Sequence, residues 1–363
     1  MTPHPPGVLI RATLAYVQQR EGCRNGGWTS ARPGKPGAAA RHGTEGVFAL
    51  WSAPRGTERP ELSRLELLAL CTSVAEWRRH SGPAMLYCDE PYARYLESLG
   101  LIGLWDNVDV SLFASMGSLD VDPAAYFSLA RIHAVGAARI PFASIDCDLI
   151  VWRSLAREFE TQGVVFTHWE STWPSVWYPP PHELRTPDGY TLDPRRNWTL
   201  NAANSSVLYF GAEAARVRDA YVEEATRFIV GNPGRSHYEV GLARELLFAE
   251  QRLIPVIARE HGLRPTPIIN AVHSPLAGEF VTNDPRYGVW NNLHILNQPT
   301  GITHLWYHKR WRGDLRLLGV ERILTARLKS DHPHVADMVY RACAAMDSAH
   351  PGKVGRTFSA PGR

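Results

Sequence analysis

Residues 140–152 read Ile-Pro-Phe-Ala-Ser-Ile-Asp-Cys-Asp-Leu-Ile-Val-Trp, an apolar run that leads to Asp146 and Asp148 and then resumes. The first half, from Ile140 to Ile145, is short and rich in β-branched and aromatic residues, which predicts a buried strand. Side chains alternate along a strand, so the two aspartates are expected to point to the same side where the strand ends. Two carboxylates this close repel each other unless a cation lies between them. Mg²⁺ and Mn²⁺ prefer such oxygen ligands, so the stretch predicts a divalent-metal site.

The same two aspartates have a plainer interpretation. Acidic residues favour turns, and an Asp-X-Asp pair can simply cap the end of a strand. Here strand-like apolar sequence flanks the pair on both sides, which favours the metal site over a turn that has no other role.

The composition of the 363-residue chain, with 44% apolar and 21% charged residues, is that of a globular protein with a substantial core. Its net charge of +3 is small, so no nucleic-acid polymer is predicted as a partner. Five cysteines without Cys-X-X-Cys spacing argue against a disulfide framework and a structural zinc site, and favour a reducing compartment. No apolar run reaches membrane-spanning length and no secretion signal is recognisable, so we expect a cytoplasmic protein without a transmembrane segment. Nothing in the composition predicts an oligomeric state.

Three regions are predicted along the chain. Residues 1–44 contain Gly, Pro and Ala tracts without a core-forming period, which predicts a flexible N-terminal extension. Residues 45–347 alternate short apolar strands with helices, which is typical of a single α/β domain with a mostly parallel sheet flanked by helices. Residues 348–363 are rich in Pro, Gly and Arg and predict a flexible tail. Ligands of such a sheet bind at the carboxyl ends of its strands, where Asp146 is expected.

Hydrophobic periodicity places the individual elements. The predicted strands are 47–51, 84–88, 108–112, 140–145, 163–167 and 204–209. The predicted helices are 62–79, 91–99, 123–135, 213–230 and 238–253, and Pro255 is expected to end or kink the last of these.

A proline-rich loop follows the strand predicted at 163–167 and carries four aromatic residues: Trp169, Trp173, Trp177 and Tyr178. Aromatic faces stack on sugars and planar rings, so this loop is predicted to bind a substrate, with Glu170 beside it. The alternative is a tryptophan-rich lid that packs on itself. The prolines that hold the loop open favour a small substrate with a flat or sugar face, such as a nucleoside-like compound or another natural product.

Four motifs follow one another along the chain: Asp146-Cys147-Asp148, Asn204-Ser205-Ser206, Glu250-Gln251, and a segment from His304 to Lys309-Arg310-Trp311. Their order resembles that of the metal-dependent GT-A glycosyltransferases of the glycogenin and bacterial galactosyltransferase type, which carry Asp-X-Asp, Asn-Ala-Gly, Asp-Gln and His…Lys-Pro-Trp. The chain is also similar to an uncharacterised bacterial GT-A-like family through Trp51-Ser52-Ala53-Pro54 and Ala130-Arg131. The resemblance spans residues 46–312.

The resemblance implies a GT-A (Rossmann-like) domain that uses Mn²⁺ or Mg²⁺ and a nucleotide-sugar donor, with a UDP-sugar favoured. It implies that Asp148 ligates the ion and thereby takes part in catalysis, that Asp146 reaches the ion or the ribose, and that His304 adds a nitrogen ligand. The donor-binding residues that it implies are Trp51, Arg131, Asp146, Asn204, Lys309 and Arg310. Plainer alternatives remain: His304 as a core histidine, Lys309 and Arg310 as a solvated basic pair, and Arg131 as a surface arginine.

Glu250 is the candidate base that removes the acceptor proton, since it lies among apolar helix neighbours where a carboxylate needs a task or a partner. The alternative is an exposed acid on a helix face, and Glu170 is a weaker candidate for the base. Glu250 and Arg310 replace the Asp and the Pro of the family motifs, and the spacing from His304 to Lys309 is one residue shorter. Inverting transfer with Glu250 as the base and retaining transfer therefore both stay open.

These features together predict an enzyme, a hexosyltransferase that moves a hexose from a donor such as UDP-glucose to a hydroxyl group of a small acceptor. One alternative is a GT-A-like protein that binds a nucleotide or sugar without turnover, and another is a polysaccharide or cell-envelope glycosyltransferase. A nucleotidyltransferase also uses paired carboxylates, but it usually carries a glycine-rich phosphate loop near its first strand. The residues Trp51-Ser52-Ala53-Pro54 offer no such loop.

Overall fold

The computed structural model describes residues 43–56, 60–172, 175, 177–232, 243–274, 279–281, 301–305 and 315–349. Trp173, Lys309 and Arg310, which have predicted roles, lie outside these ranges. So do residues 1–42 of the predicted extension and residues 350–363 of the predicted tail.

The strands account for the predicted α/β architecture. In chain order, the described strands are β1 Glu45–Leu50, β2 Ala84–Cys88, β3 Asn107–Asp109, β4 Phe142–Ile145, β5 Leu149–Val151, β6 Val164–Phe166, β7 Trp169–Glu170, β8 Ala202–Ala203, β9 Val207–Phe210, β10 Thr266–Pro267, β11 Val272–Ser274, β12 Glu279–Val281 and β13 Ile302–His304. Seven of them form the central sheet in the order β10-β6-β9-β4-β1-β2-β3. Strand β9 pairs antiparallel with β4 and with β6, whereas the other neighbours pair parallel. The prediction of a mixed, mostly parallel sheet is therefore confirmed.

Helices cover both faces of this sheet. The described α-helices are Arg64–His80, Glu90–Ser98, Leu129–Ala137, Ala156–Phe159, Ala215–Ile229, Arg244–Leu247, Leu253–Glu260, Leu315–Asp331 and Pro333–Ala349. The first begins at a capping box, in which the Glu66 amide donates to Ser63 Oγ at 3.2 Å and the Ser63 amide donates to Glu66 Oε2 at 2.7 Å. No helix in the described part of the chain is long and apolar enough to cross a membrane.

Two hydrophobic clusters pack on the two faces of the sheet. Val47 and Phe48 follow each other in β1 and enter different clusters, as the alternation along a strand requires. One cluster includes residues of the helices Arg64–His80, Leu315–Asp331 and Pro333–Ala349. The other includes residues of Leu129–Ala137, Ala215–Ile229 and Leu253–Glu260. Burial of these two clusters holds the strands of the central sheet in place, and with them the polar side chains that follow the strand ends.

The stretch from residue 140 to residue 152 differs from its prediction in one respect. Strand β4 ends at Ile145, and Asp146-Cys147-Asp148 forms a turn that leads into β5, with the Leu149 amide donating to the Asp146 carbonyl at 3.1 Å. The aspartates therefore lie in a turn, so alternation along one strand is the wrong reason for their proximity. The apolar residues before the turn belong to β4 of the central sheet, whereas those after it belong to β5, which forms a separate two-stranded sheet with β13.

Two helix predictions are wrong in their bounds. The helix predicted from residue 123 begins at Leu129, because the Asp122 side chain accepts from the amides of Ala124 and Ala125 and favours a turn there. The helix end predicted at Leu253 is wrong, because the helix continues through Pro255 to Glu260, and the start predicted at residue 238 lies outside the described residues. A π-helical turn, Phe248–Arg252, comes directly before Leu253.

This π-helical turn explains how Pro255 is tolerated. In the turn, the Leu253 amide donates to the Phe248 carbonyl five residues earlier. In the same pattern, the missing Pro255 N–H would have reached the Glu250 carbonyl. The Tyr221 hydroxyl donates to that carbonyl at 3.2 Å and satisfies it. Glu250 and Gln251 therefore lie in a π-helical turn that continues directly into the helix Leu253–Glu260.

A buried histidine gives the fold a testable dependence on pH. His133 is buried in the helix Leu129–Ala137, and its Nε2 has no hydrogen-bond partner among the described residues. Burial lowers the pKa of this imidazole from 6.5 to about 4. The unfolded chain therefore takes up a proton at a higher pH than the folded chain. The stability that follows from the neutral ring is complete above pH 6.5 and is lost as the pH falls towards 4.

We expect His133 to cost about 2 kcal/mol of unfolding free energy when the pH is lowered from 7 to 5. His133→Leu has a similar volume and does not titrate, so this part of the pH dependence should vanish in the variant. Urea unfolding of both proteins at the two pH values measures the difference, because the other titrating groups are common to both. Equal pH dependence in the two proteins would show that His133 is not held neutral by burial.

Candidate active site

The reversed direction of β9 brings two separate segments to one edge of the sheet. Asp146 follows the carboxyl end of β4, and Asn204-Ser205-Ser206 precedes the amino end of the antiparallel β9. The Asp146 amide donates to the Ser206 carbonyl at 2.9 Å, which fixes the two segments together. On the other side, β13 pairs antiparallel with β5 so that His304 lies opposite Leu149, and the Leu305 amide donates to the Asp148 carbonyl at 2.9 Å.

Asp146, Asp148 and His304 meet at this edge, as predicted from the motifs. His304 Nε2 lies 3.7 Å from Asp146 Oδ2 and 3.4 Å from Asp148 Oδ1, and the three ligand atoms are all within 4.8 Å of one another. The carboxylate side chains are 27% and 19% exposed, so the group is open to a ligand from solvent. Two carboxylates and one imidazole suit an ion of the Mn²⁺ or Mg²⁺ type that completes its shell with water and phosphate oxygens. The residues present therefore fit the ion that the motif implies.

The electrostatics of the group favour a cation. Burial lowers the pKa of His304, but the hydrogen bond that the ring donates to Asp148 and the charges of both aspartates outweigh this effect, so the pKa is raised. Burial and the Asp148 charge raise the pKa of Asp146 against the opposing effect of Arg131. Ser206 helps to orient the His304 ring, since its Oγ lies 3.1 Å from His304 Nδ1. Ser206 in turn donates to Asn204 Oδ1 at 2.6 Å. Such partners of a ligand ring fix its orientation.

Arg131 joins this group to Glu250. Its Nη1 lies 2.7 Å from Asp146 Oδ1 and 2.9 Å from Glu250 Oε1, and its Nε donates to Ser144 Oγ at 3.0 Å. Arg131 is therefore the counter-ion of two carboxylates at the sheet edge, and the alternative of a surface arginine is excluded. Burial raises the pKa of Glu250, an effect that Arg131 opposes and the charge of Asp146 reinforces.

The two oxygens of Glu250 differ. Ser205 Oγ donates at 3.3 Å to Oε1, the same atom that binds Arg131. Within the described residues no hydrogen bond reaches Oε2. One oxygen therefore fixes the carboxylate in place, while the other stays able to accept a proton.

No protein-family profile matches the chain, and no curated protein sequence matches it. Solved structures of glycosyltransferases do match. The galactosyltransferase LgtC, solved with donor and acceptor sugar analogues, is 15% identical and matches with a TM-score of 0.38 over 79% of this chain and 96% of that chain. Mouse xyloside xylosyltransferase 1 in its apo form is 12% identical, with a TM-score of 0.34 over 62% and 84% of the two chains.

The PaToxG glycosyltransferase is 8% identical, with a TM-score of 0.34 over 70% of this chain and 76% of that chain. All three proteins are glycosyltransferases by name. At this low level of identity, neither the substrates nor the mechanisms of these enzymes can be assigned to this chain.

The aromatic loop is fixed to the π-helical turn. Tyr178 is buried, and its hydroxyl donates to Gln251 Oε1 at 2.5 Å. The buried Arg252 donates to the carbonyl of Pro179 and, at 2.7 Å, to that of Trp198. Trp177 is half-buried. The loop is thus held against the helix that carries Glu250.

The other predicted site residues are distributed around this centre. Trp51 follows β1 at the same sheet edge and packs, half-buried, on the core. Trp169 lies in β7 and meets Phe166 edge to face, with ring centroids 4.4 Å apart. Glu170 is buried next to two histidines, His168 and His273.

Sequence reasoning missed Arg252 and the two histidines. Arg252 follows Glu250-Gln251 directly, but nothing in an apolar helix pattern distinguishes a buried arginine from an exposed one. His168 stands two residues before Glu170, a spacing that places both side chains on one side of a strand. That alternation was a usable signal. His273 had none, since its pairing opposite Glu170 depends on the contact between β7 and β11.

Proposed function

We propose that this chain is a metal-dependent glycosyltransferase that moves a hexose from a UDP-sugar to a hydroxyl group of a small acceptor. The observation that carries the proposal is the Asp146–Asp148–His304 group, which opens to solvent at the sheet edge where nucleotide ligands of α/β folds bind. A divalent ion held there would supply positive charge to a departing diphosphate. The catalytic domain would comprise residues 45–347, and Lys309 and Arg310 would add positive charge for the phosphates.

Glu250 is proposed as the base that accepts the acceptor proton. A carboxylate works best as a base when its pKa is raised towards the working pH, and burial raises the pKa of Glu250. Its Oε2 would take the proton, while Arg131 and Ser205 hold Oε1. Arg131 would also hold Asp146 at a fixed distance from this base, so that donor and acceptor sides of the site keep their relative positions.

The acceptor side is proposed to include Trp169, Trp173, Trp177 and Tyr178, and the donor side Trp51, Arg131 and Asn204. Glu170 is left out of the proposed acceptor side, because His168, His273 and Asn204 already engage both of its oxygens. The support for the acceptor assignment is the attachment of Tyr178 to Gln251, next to Glu250. Because Tyr178 is buried, its ring would form part of the wall of the acceptor site. The half-buried Trp177 would offer a ring face on which the acceptor stacks.

A thermal-shift screen of the full chain with nucleoside diphosphates tests the proposal. Ligands that bind only the folded state stabilise it by about 2.7 kcal/mol at a hundred times their Kd, a shift of several degrees. We expect UDP to give such a shift with Mn²⁺ and none with Mn²⁺ withheld by a chelator. Release of UDP from a UDP-hexose in the presence of acceptors then separates an enzyme from a protein that only binds. No shift with any nucleotide, or equal shifts with and without the ion, would contradict the proposal.

A further inference from the structure

A second cluster of metal-ligating side chains lies at the small sheet formed by β12-β11-β7-β8. Glu170 and His273 stand opposite each other where β7 and β11 pair in parallel, and His168 comes two residues before Glu170. His168 Nε2 lies 3.0 Å from Glu170 Oε1, and His273 Nδ1 lies 2.8 Å from Glu170 Oε2. The three side chains are buried, with residue exposures of 4%, 7% and 8% for His168, Glu170 and His273.

Hydrogen-bond donors surround the buried Glu170 carboxyl group. His168 Nε2 and His273 Nδ1 each face one of its oxygens. Asn204 Nδ2 adds a third donor, 3.0 Å from Oε1. A buried negative charge is costly when only neutral dipoles face it, and a cation among the same atoms removes most of that cost.

We propose that His168, Glu170 and His273 form a second metal site, which takes a divalent transition ion of the zinc class. Imidazole ligands suit zinc and its transition-metal neighbours, whereas carboxylates and water suit Mg²⁺ and Mn²⁺. Two imidazoles and one carboxylate are a recurring zinc ligand set, with a remaining position for water or another donor. The three ligand atoms lie within 4.8 Å of one another. Zinc holds its ligands at about 2.0–2.1 Å, which requires donor separations of about 3.3 Å. The present separations of 3.0 and 2.8 Å, each to a different oxygen of Glu170, would open by a few tenths of an ångström around an ion.

The two metal sites differ in their chemistry and are linked through Asn204. This residue donates to Glu170 and accepts from Ser206, which contacts the His304 ring. An ion in the second site would hold Glu170 fixed and, through Asn204 and Ser206, would orient His304. This consequence rests on the proposed function of the first site, whereas metal binding by the second site does not.

Binding of Co²⁺ and Zn²⁺ to the full chain tests the second site independently of sugar transfer. The decisive protein is Asp148→Asn, which disables the first site and leaves the second intact. We expect this variant to bind one Zn²⁺ per chain, measured by elemental analysis after dialysis. With Co²⁺ it should show visible d–d bands of a low-coordinate, nitrogen-containing site. Absence of a tightly held ion in Asp148→Asn would overturn the proposal, whatever the outcome for UDP binding.

The matched variant is His168→Gln/His273→Gln, in which both amide groups can still donate to Glu170 and preserve its hydrogen bonds. We expect it to lose the Co²⁺ bands and to bind Zn²⁺ at least a hundredfold more weakly, while Mn²⁺ binding with UDP persists. Zn²⁺ binding that survives this double substitution at full affinity would place the ion elsewhere and overturn the assignment. If the double variant does not fold, the measurement on Asp148→Asn still decides.

Discussion

Replacing Glu250 by Gln is expected to slow sugar transfer by a hundred- to ten-thousand-fold, roughly 3–5 kcal/mol of activation free energy. Gln has the size and helix propensity of Glu and can still accept the Ser205 hydrogen bond, so the change removes the proton acceptor and little else. The fold and the affinity for UDP should stay as they are, because Arg131 keeps Asp146 as a partner. Steady-state rates with saturating donor and acceptor measure the effect.

Glu97→Gln is the matched control for this substitution, since Glu97 is exposed on the helix Glu90–Ser98. It should leave the rate unchanged. If Glu250→Gln costs less than about tenfold and the product keeps the anomeric configuration of the donor, Glu250 only positions substrates and the transfer is retaining. A large loss with inversion of configuration is the outcome that the open Oε2 atom leads us to expect.

Replacing Arg131 by Met is expected to lower the free energy of unfolding by about 3 kcal/mol at neutral pH. The substitution leaves Asp146 and Glu250 without their common counter-ion in a partly buried place, and like charges then face each other. The figure is at the low end for a broken buried ion pair because Asp146 is 27% exposed and solvent screens it. Urea unfolding at pH 7 measures the loss.

A double-variant cycle identifies the cause. Glu250→Gln removes one of the two stranded charges, so it should cost less, or even stabilise, when Arg131 is already Met. Lowering the pH, which protonates the carboxylates, should reduce the cost of Arg131→Met as well. Strictly additive effects of the two substitutions, or a loss below 1 kcal/mol for Arg131→Met, would show that the three side chains do not form one electrostatic unit.

The fold and the position of Asp146 and Asp148 could be predicted because their signals are local. The apolar runs that became β1, β2, β4 and β6 are short, buried and separated by helices, which leaves a mostly parallel sheet as the natural arrangement. Asp146 and Asp148 were correctly expected at a strand end, although a turn and not strand alternation brings them together. The proximity of His304 to both aspartates was predicted only from the order of the motifs along the chain.

The rest of the site depends on contacts that no local pattern reveals. Arg131 lies 119 positions from Glu250, and its role as counter-ion of two carboxylates appears only once β4 and the π-helical turn are side by side. The cluster around Glu170 forms only when β7 pairs with β11, 103 positions away. The predicted helix bounds near residues 123 and 255 were wrong for a related reason, because side chains there replace backbone hydrogen bonds. Asp122 accepts from the Ala124 amide, and the Tyr221 hydroxyl donates to the Glu250 carbonyl.

Mn²⁺ binding by the wild-type chain and by Asp148→Asn, measured by calorimetry with and without UDP, tests the central claim most directly. Asp148 faces His304 across 3.4 Å, and Asn keeps its shape while removing the charge that an ion requires. The wild type should bind one Mn²⁺ together with UDP, and the variant should lose at least a hundredfold in affinity for both with an unchanged unfolding curve. Asp109→Asn, at the end of β3, is the control and should bind as the wild type does. If Asp148→Asn binds Mn²⁺ and UDP with the affinity of the wild type, the Asp146–Asp148–His304 group is a structural turn and not a metal site.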